Sequence, residues 1–402
     1  MLSSPSKVNL ISLTLFGLLL FPDKFMRLYV VLATSLLLLI PIIEGSKARL
    51  PKSVAHPLNF IGIFFMATLL VSGITIGDGY RDLYECLRIL LFIAGFRLML
   101  QRFDIPQMLV LRCLLLYLTL DLLAVLAEEG LVPGRIYVEN LFHSDARSLR
   151  LSGVSNSQSR FMGLSSGPGQ HGALLFLVFC YFLGFFFAKQ FIKSSVIGIV
   201  LAGGLILKSQ SQTCVVALVI SFLFLIITSV IKWNNKWALQ ITVGFIAIIA
   251  IFGGYFLMVV VENFAYLASF LDSALERSSY KSREIKWLEI LSMASESPWF
   301  YLTGFGKSYF GELSTAMDNE HLYILLVYGV FGSLIFYFFL VMNLFRSFSS
   351  VLGGKVTHWS YSKLAIFIGG AVIAWPSSFF TNPKTFAILS FLFYISPSND
   401  RK

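Results

Sequence analysis

Charged residues are scarce in this chain, and acidic residues are the scarcest of them. Asp and Glu number 21 of 402 residues, and the four charged types together make up 13% of the chain. Soluble domains carry roughly 25% charged residues, so this composition excludes an ordinary soluble globular protein. The chain is instead 57% hydrophobic. Its apolar runs reach about 17 to 25 residues, long enough to cross a bilayer as helices. We therefore predict an all-α, polytopic membrane protein.

Recognisable metal, disulfide and nucleotide sites are also missing. The four cysteines lie in apolar runs with neither CxxC nor Cys/His spacing: Cys86, Cys113, Cys180 and Cys214. This spacing argues against a disulfide framework or a cysteine metal site. The chain has no DxD, HExxH or Rossmann motif. Gly306-Lys307-Ser308 has the ending of a Walker loop, but Tyr301 stands where its first glycine should be, so we interpret that match as chance. We expect no metal and no cofactor.

Twelve apolar runs are the candidate membrane spans. They cover 8–22, 25–43, 57–77, 83–100, 108–127, 170–188, 194–208, 212–231, 238–260, 320–343, 363–380 and 384–397. With a cytoplasmic N-terminus, the basic short connectors all fall on the cytoplasmic side, as the positive-inside rule requires. The net charge of +10 then reflects membrane orientation, and we expect no nucleic-acid partner.

The same registration places both termini in the cytoplasm and two long hydrophilic loops outside, at 128–169 and 261–319. These loops contain apolar stretches that need a surface to pack on. We therefore treat residues 1–402 as one integral membrane domain and expect the two loops to form a cap over its helices.

The second loop and the span after it carry a dense group of polar residues. Ser282 can cap a helix in which Arg283 lies one turn before Trp287. A guanidinium held there suits a phosphate, although an interfacial arginine paired with a carboxylate explains the pattern at least as well. Residues 318–321, Asp-Asn-Glu-His, directly precede an apolar run. We predict Asp318 as the N-cap of that span, and a histidine beside two carboxylates can serve as a general base.

The first loop ends in a glycine-rich segment, 160–172, that begins with Arg160. Glycines on both sides of Pro168 allow a ligand to approach the backbone closely. Three further arginines in this loop favour a polyanionic ligand, although lipid head groups or solubility explain them equally well. They are Arg135, Arg147 and Arg150.

Ionisable residues also interrupt the spans, where they usually mark a function or a buried pair. Arg88 and Asp121 can form such a pair with a purely structural role. Lys208 lies near the outer end of its span, on the side that carries the long loops. It is therefore the better functional candidate.

Three of these elements together resemble the O-antigen polymerase and ligase superfamily. They are Arg160-xx-Gly163…Pro168, Arg283-xxx-Trp287…Pro298…Gly304-x-Gly306 and Asp318-Asn319-xx-Leu322…Gly329-xx-Gly332. The resemblance implies an inner-membrane glycosyltransferase whose donors are sugars on undecaprenyl pyrophosphate, used on the periplasmic side. By motif, Arg160 and Arg283 would bind the pyrophosphate. Other implied partners are membrane lipid, a flippase and a chain-length regulator of the same pathway.

Members of this superfamily differ in the acceptor of the glycan. A polymerase extends the next lipid-linked repeat unit, whereas a ligase transfers the glycan to lipid A core and typically has a His directly before the motif Asn. This chain has Asp318 there, so the resemblance favours a polymerase. Many members have an Arg after a Ser in the join between two mid-chain spans, where this chain has Ser211-Gln212. Lys208 can supply the positive charge of that missing arginine.

A ligase, and from another class a flippase or transporter of lipid-linked sugars, are the alternatives to a polymerase. The candidate binding residues for pyrophosphate or sugar are Arg160, Gly163, Lys208, Lys281, Arg283 and Asn319. The candidate catalytic residues are Asp318, Glu320 and His321.

Overall fold

The computed structural model describes most of the helical part of the chain. It covers residues 15–22, 57–76, 80–91, 106–143, 160–233, 298–308, 319–353, 357–375 and 377–395, with six more residues between 284 and 292. Throughout these ranges the chain forms helices joined by turns, with no strand. The prediction of an all-α fold is therefore confirmed for this part of the chain.

Eleven helices in the described ranges are numbered here in chain order. They are α1 (Pro57–Ile76), α2 (Tyr80–Leu91), α3 (Gln107–Glu128), α4 (Arg135–Phe142), α5 (Pro168–Phe187), α6 (Ile192–Ser209), α7 (Gln212–Trp233), α8 (Pro298–Thr303), α9 (Glu320–Leu352), α10 (His358–Ala374) and α11 (Pro383–Ile395).

Five of these helices are long and apolar enough to cross a membrane: α3, α5, α6, α7 and α9. The protein is therefore a membrane protein. The predicted spans at 108–127, 170–188, 194–208 and 212–231 agree with α3, α5, α6 and α7 to within two residues at each end. The predicted spans at 25–43 and 238–260 lie outside the described residues. The count of twelve spans and the outer cap stay predictions.

Predicted boundaries of α9 and α10 are wrong, and the span predicted to end at residue 343 continues to Leu352. The predicted span at 363–380 is instead α10, which ends at Ala374 and starts earlier because the Thr357 side chain accepts a hydrogen bond from the Ser360 N–H. The predicted N-cap of α9 is displaced by one residue. The Asn319 side chain, rather than that of Asp318, caps the helix by accepting a hydrogen bond from the Leu322 N–H at 3.0 Å.

Helix α9 has a sharp break at Gly329, whose φ of 72° and ψ of −177° are not helical. His321 precedes the break and Tyr337 follows it, yet their side chains touch at 2.5 Å. In an unbroken helix, residues 16 positions apart would be about 24 Å apart along the axis. The first part of α9 therefore folds back against the second.

Helix α5 lies at the centre of the packing and contacts α6, α7, α10 and α11. In its most apolar stretch 83% of the residues are buried, the largest share among the five membrane helices. Its phenylalanines fill the core, and Phe176, Phe182 and Phe185 are fully buried. Alternating chain direction brings the ends of α3, α6 and α10 and the starts of α5, α7, α9 and α11 to one end of the bundle. We call this the polar end.

Candidate functional site

At the polar end, side chains from several helices bind the backbone directly after Arg160. We call residues 161–164 the clamped segment. Its N–H groups point at two carboxylates of α3. Glu128 accepts from Met162 and Gly163 at 2.9 and 2.5 Å, and Asp121 accepts from Leu164 at 2.8 Å. The remaining N–H, that of Phe161, donates to the Lys208 carbonyl at 3.4 Å.

The carbonyl groups of the clamped segment are bound as well. His171 Nδ1 lies 3.4 Å from the Phe161 oxygen, and His143 Nε2 lies 3.1 Å from the Gly163 oxygen. The Lys384 ammonium donates to the Leu164 oxygen at 3.2 Å. The Met162 oxygen accepts from the Ser165 N–H at 3.1 Å. The segment is therefore fixed by its backbone, whatever its side chains contact.

A buried ion pair contacts the clamped segment, because both of its members also bind the backbone of that segment. His171 Nε2 lies 2.6 Å from Asp121 Oδ2, and both side chains are completely buried. Both ring nitrogens of His171 face acceptor oxygens, which favours the doubly protonated imidazolium. Asp121 therefore pairs with His171. Arg88, the partner that the sequence offers, has a side chain outside the described residues.

Gly163 has the conformation that this arrangement requires. Its φ is +50°, and a Cβ at this position would come within 2.3 Å of Asp121 Oδ1 and 2.7 Å of His171 Nε2. A side chain would thus collide with the ion pair. The described contacts of Gly163 are hydrogen bonds within the protein, and its predicted role in substrate binding stays a prediction.

Two of the predicted cationic residues lie beside the clamped segment. Lys208 forms an ion pair with Glu129 and lies over the Phe161 ring, 5.5 Å from its centroid. Arg160 is half-buried and lies on the same side of the bundle as Cys214, in the first turn of α7. The structure therefore brings Lys208 next to Arg160 and Gly163, although it lies more than 40 residues further along the chain.

A second polar cluster surrounds the start of α9. Glu320 is buried, and its carboxylate accepts hydrogen bonds from three consecutive backbone N–H groups. Phe379 and Phe380 donate to the same oxygen at 2.9 and 2.8 Å, and Thr381 donates to the other. Glu320 thus fixes the turn between α10 and α11. Its predicted catalytic role stays a prediction.

His321, the next residue, uses both ring nitrogens. Nε2 lies 3.2 Å from the Ala371 carbonyl oxygen, and Nδ1 lies 2.5 Å from the Tyr337 hydroxyl. Because a carbonyl only accepts, Nε2 carries the proton and Nδ1 accepts from the hydroxyl. Protonation of Nδ1 therefore requires the Tyr337 hydroxyl to turn, so that its oxygen accepts the hydrogen bond.

The two clusters adjoin through residues 377–384. Glu320 binds the first part of this stretch, and Lys384 at its end binds the Leu164 carbonyl. Asn382 lies between them and caps α11 by accepting from the Lys384 and Thr385 N–H groups. Asn319, Glu320 and His321 thus belong to the same end of the bundle as Arg160.

Two glycine motifs noted in the sequence pack directly on each other. A Cβ on Gly304 would lie 2.2 Å from the Val327 oxygen, and one on Gly329 would lie 2.3 Å from the Leu302 oxygen. The Phe305 N–H donates to the Leu326 oxygen at 2.7 Å across this contact. The motifs thus permit close backbone packing of α8 on the break in α9.

The Walker-like Gly306-Lys307-Ser308 binds a carboxylate of its own chain. The Lys307 and Ser308 N–H groups donate to the Asp82 oxygens at 2.5 and 3.3 Å, and the Lys307 side chain pairs with Glu85. These contacts link the turn to α2. They give the glycines and the lysine a packing role.

Five of the residues singled out from the sequence lie outside the described residues: Lys281, Arg283, Arg147, Arg150 and Asp318. Within the described ranges, no group of His, Cys, Asp and Glu is arranged to hold a metal ion.

The polar end contains four side chains that sequence reasoning did not select: Glu128, His143, His171 and Lys384. Each lies near the end of a helix, where a polar residue is ordinary, so no sequence pattern distinguishes them. Comparison of the chain with models of known protein families and with curated protein sequences finds no match.

Proposed function

We propose that this protein is a polymerase of O-antigen or a related surface polysaccharide. In this reaction the growing glycan moves from undecaprenyl pyrophosphate to the next undecaprenyl-pyrophosphate-linked repeat unit. The observation that carries the proposal is the position of Arg160. This residue, which the motif assigns to the pyrophosphate, lies at the polar end together with Lys208 and the start of α9.

The chemistry of a lipid-linked donor suits this end of a membrane bundle. An undecaprenyl tail is apolar and enters between helices, which leaves the diphosphate at the membrane surface. A guanidinium pairs with phosphate oxygens through a planar fork and keeps its charge at any physiological pH. Such a group stabilises the negative charge that develops on the departing pyrophosphate.

The proposal includes an orientation. The polar end faces the periplasm, the chain spans the inner membrane about twelve times with both termini in the cytoplasm, and the two outer loops cover the site. Arg283, with Lys281 next to it, supplies the second cationic contact from the second loop. A flippase and a chain-length regulator are the expected pathway partners.

In the transfer step, a hydroxyl of the acceptor sugar attacks the anomeric carbon of the donor sugar. The bond to undecaprenyl pyrophosphate breaks, and the hydroxyl proton passes to a base. The candidates for this base are Asp318, Glu320 and His321. Glu320 already accepts backbone N–H groups and His321 Nδ1 contacts the Tyr337 hydroxyl, so each of these two would change its hydrogen bonds on taking the proton.

The test is the lipopolysaccharide pattern of the native host. A strain carrying Arg160→Ala should make lipopolysaccharide with a single repeat unit and no ladder, while Arg160→Lys should retain a weakened ladder because it keeps the charge but loses the fork. A normal ladder in the Arg160→Ala strain, with the protein present in the membrane, would remove this residue from the site.

Deletion of the gene separates the three functions. A polymerase predicts single repeat units on lipid A core. Long polymers that stay on undecaprenyl pyrophosphate beside bare core would identify a ligase. A lipid-linked repeat trapped on the cytoplasmic face would identify a flippase.

A further inference from the structure

We propose that the side chains around the clamped segment are positioning residues for Arg160. Glu128 is the principal one, with Asp121, His171 and His143 in support. This inference rests on the proposed function, because it assumes that Arg160 binds the pyrophosphate of a lipid-linked donor. It adds that the binding strength of Arg160 depends on carboxylates and histidines that never touch the ligand.

The clamped segment has every backbone polar group bound. Its four N–H groups donate to Glu128, Asp121 and the Lys208 carbonyl. Its four C=O groups accept from His171, His143, Lys384 and the Ser165 N–H. Complete pairing is normal in a helix, but these four residues are not helical.

The partners come from separate parts of the chain. They lie on α3, directly after α4, on α5, at the end of α6 and on α11. Glu128 is 35 residues and Lys384 is 220 residues from its partner in the segment. The position of the segment is therefore fixed relative to five elements at once.

Satisfying buried backbone groups is required in any membrane protein, so pairing alone indicates no function. The choice of partners is more informative. Burying a carboxylate or an imidazolium removes it from water at a large cost, whereas a regular helix satisfies the same groups without charge. A costly, distributed arrangement directly after Arg160 is what precise placement of that side chain requires.

Placement matters for a guanidinium in particular. Two parallel hydrogen bonds to phosphate oxygens form only at the correct angle and distance. A long side chain on a loose loop also loses more conformational entropy on binding than one with a fixed backbone. Loosening the clamped segment should therefore weaken binding through Arg160, and should have no effect on binding once Arg160 is removed.

The experiment is a double-mutant cycle on the full-length protein in phosphatidylcholine nanodiscs, with undecaprenyl pyrophosphate as the probe. The four proteins are wild type, Glu128→Gln, Arg160→Ala and the double variant. We expect Glu128→Gln to weaken binding about tenfold, the lower end of the effect seen for residues that orient ligand-binding groups. In the Arg160→Ala background the same change should have no further effect.

Glu139→Gln is the matched control, because it makes the same change in charge on α4, where the carboxylate pairs with Arg135 at the surface. It should bind as wild type does. If Glu128→Gln loses its thermal transition, His143→Leu replaces it in the cycle. Leucine has no donor, so this variant loses the hydrogen bond to the Gly163 carbonyl, for which we expect about threefold weaker binding.

The outcomes separate the inference from the proposed function. Failure of the wild-type protein to bind the probe, or unchanged binding by Arg160→Ala, overturns both. Weaker binding by Arg160→Ala combined with unchanged binding by Glu128→Gln and His143→Leu overturns the inference alone. So does an effect of Glu128→Gln that is equally large with and without Arg160, because that result indicates general damage to the fold.

Discussion

The two polar clusters at the same end of the bundle both hydrogen-bond backbone groups outside the helices, but they differ in how many residues supply the partners. In the first, side chains from four parts of the chain and one backbone carbonyl of α6 bind the backbone of residues 161–164. In the second, the single side chain of Glu320 binds three consecutive N–H groups of residues 379–381. The first arrangement is distributed and the second depends on one residue.

This difference changes how a buried carboxylate in a membrane protein is interpreted. Backbone N–H groups outside a helix and away from water need an acceptor within the protein. A carboxylate suits them because its two oxygens can accept several hydrogen bonds at once. Glu128 and Glu320 both have this role in the structure. Hydrogen bonding to the backbone is therefore enough to explain a buried carboxylate at a candidate active site, without a catalytic role.

The largest effect that we predict comes from the cluster with a single acceptor. Glu320→Ala leaves three N–H groups at 379–381 without their acceptor. Each such group costs about 1 to 3 kcal/mol, so the total destabilisation should be on the order of 3 kcal/mol or more. The measurement is the apparent melting temperature in detergent, which should fall strongly.

Glu320→Gln should lower that melting temperature less, because one side-chain oxygen remains. Glu139→Ala, at a half-buried carboxylate on α4 whose described contact is the ion pair with Arg135, should leave it nearly unchanged. If Glu320→Gln kept the wild-type melting temperature and abolished the lipopolysaccharide ladder, a catalytic role for Glu320 would replace the structural one.

The distributed cluster should tolerate single losses better but not a steric collision at its centre. Gly163→Ala places a methyl group against Asp121 and His171 at a φ of +50°. Strain of this kind costs about 1 to 3 kcal/mol, so we expect a melting temperature below that of wild type and above that of Glu320→Ala.

Gly130→Ala is the matched control for the backbone conformation. Gly130 has a φ of +79°, and nothing lies within 4 Å of the position of its added Cβ. It therefore measures the strain of a positive φ without a collision. Equal effects of the two substitutions would show that contact with the ion pair contributes nothing.

The sequence predicted most of the membrane helices correctly because their signal is local. Long apolar runs between basic connectors mark α3, α5, α6 and α7 with boundaries good to two residues. The sequence does not predict the break in α9, because the residues on both sides of Gly329 are apolar. A continuous apolar run looks the same whether the helix is straight or folds back. The predicted end of α10 is too late because the apolar pattern continues beyond Ala374, through Trp375, Phe379 and Phe380.

The polar end was predictable only in part. Arg160 and Lys208 could be selected because a charge near a membrane span is unusual. Asp121 could be selected for the same reason, although with Arg88 as its expected partner. Glu128 and His143 could not be selected, because they are ordinary polar residues at helix ends and their partners are 34 and 20 residues away. Hydrogen bonds between a side chain and a distant backbone group leave no pattern in one sequence.

The smallest effect that we predict contrasts two arginines of the segment between α3 and α5. Arg135 is at the start of α4, pairs with Glu139 at 2.7 Å, and has a side chain that is 54% exposed. Exposed pairs of this kind contribute about 0 to 1 kcal/mol. Arg135→Ala should therefore leave the melting temperature, probe binding and the lipopolysaccharide ladder close to wild type, in contrast with Arg160→Ala. If both variants lost the ladder to the same extent at equal protein levels, loop charge in general would be responsible, and the placement of Arg160 by residues 161–164 would lose its significance.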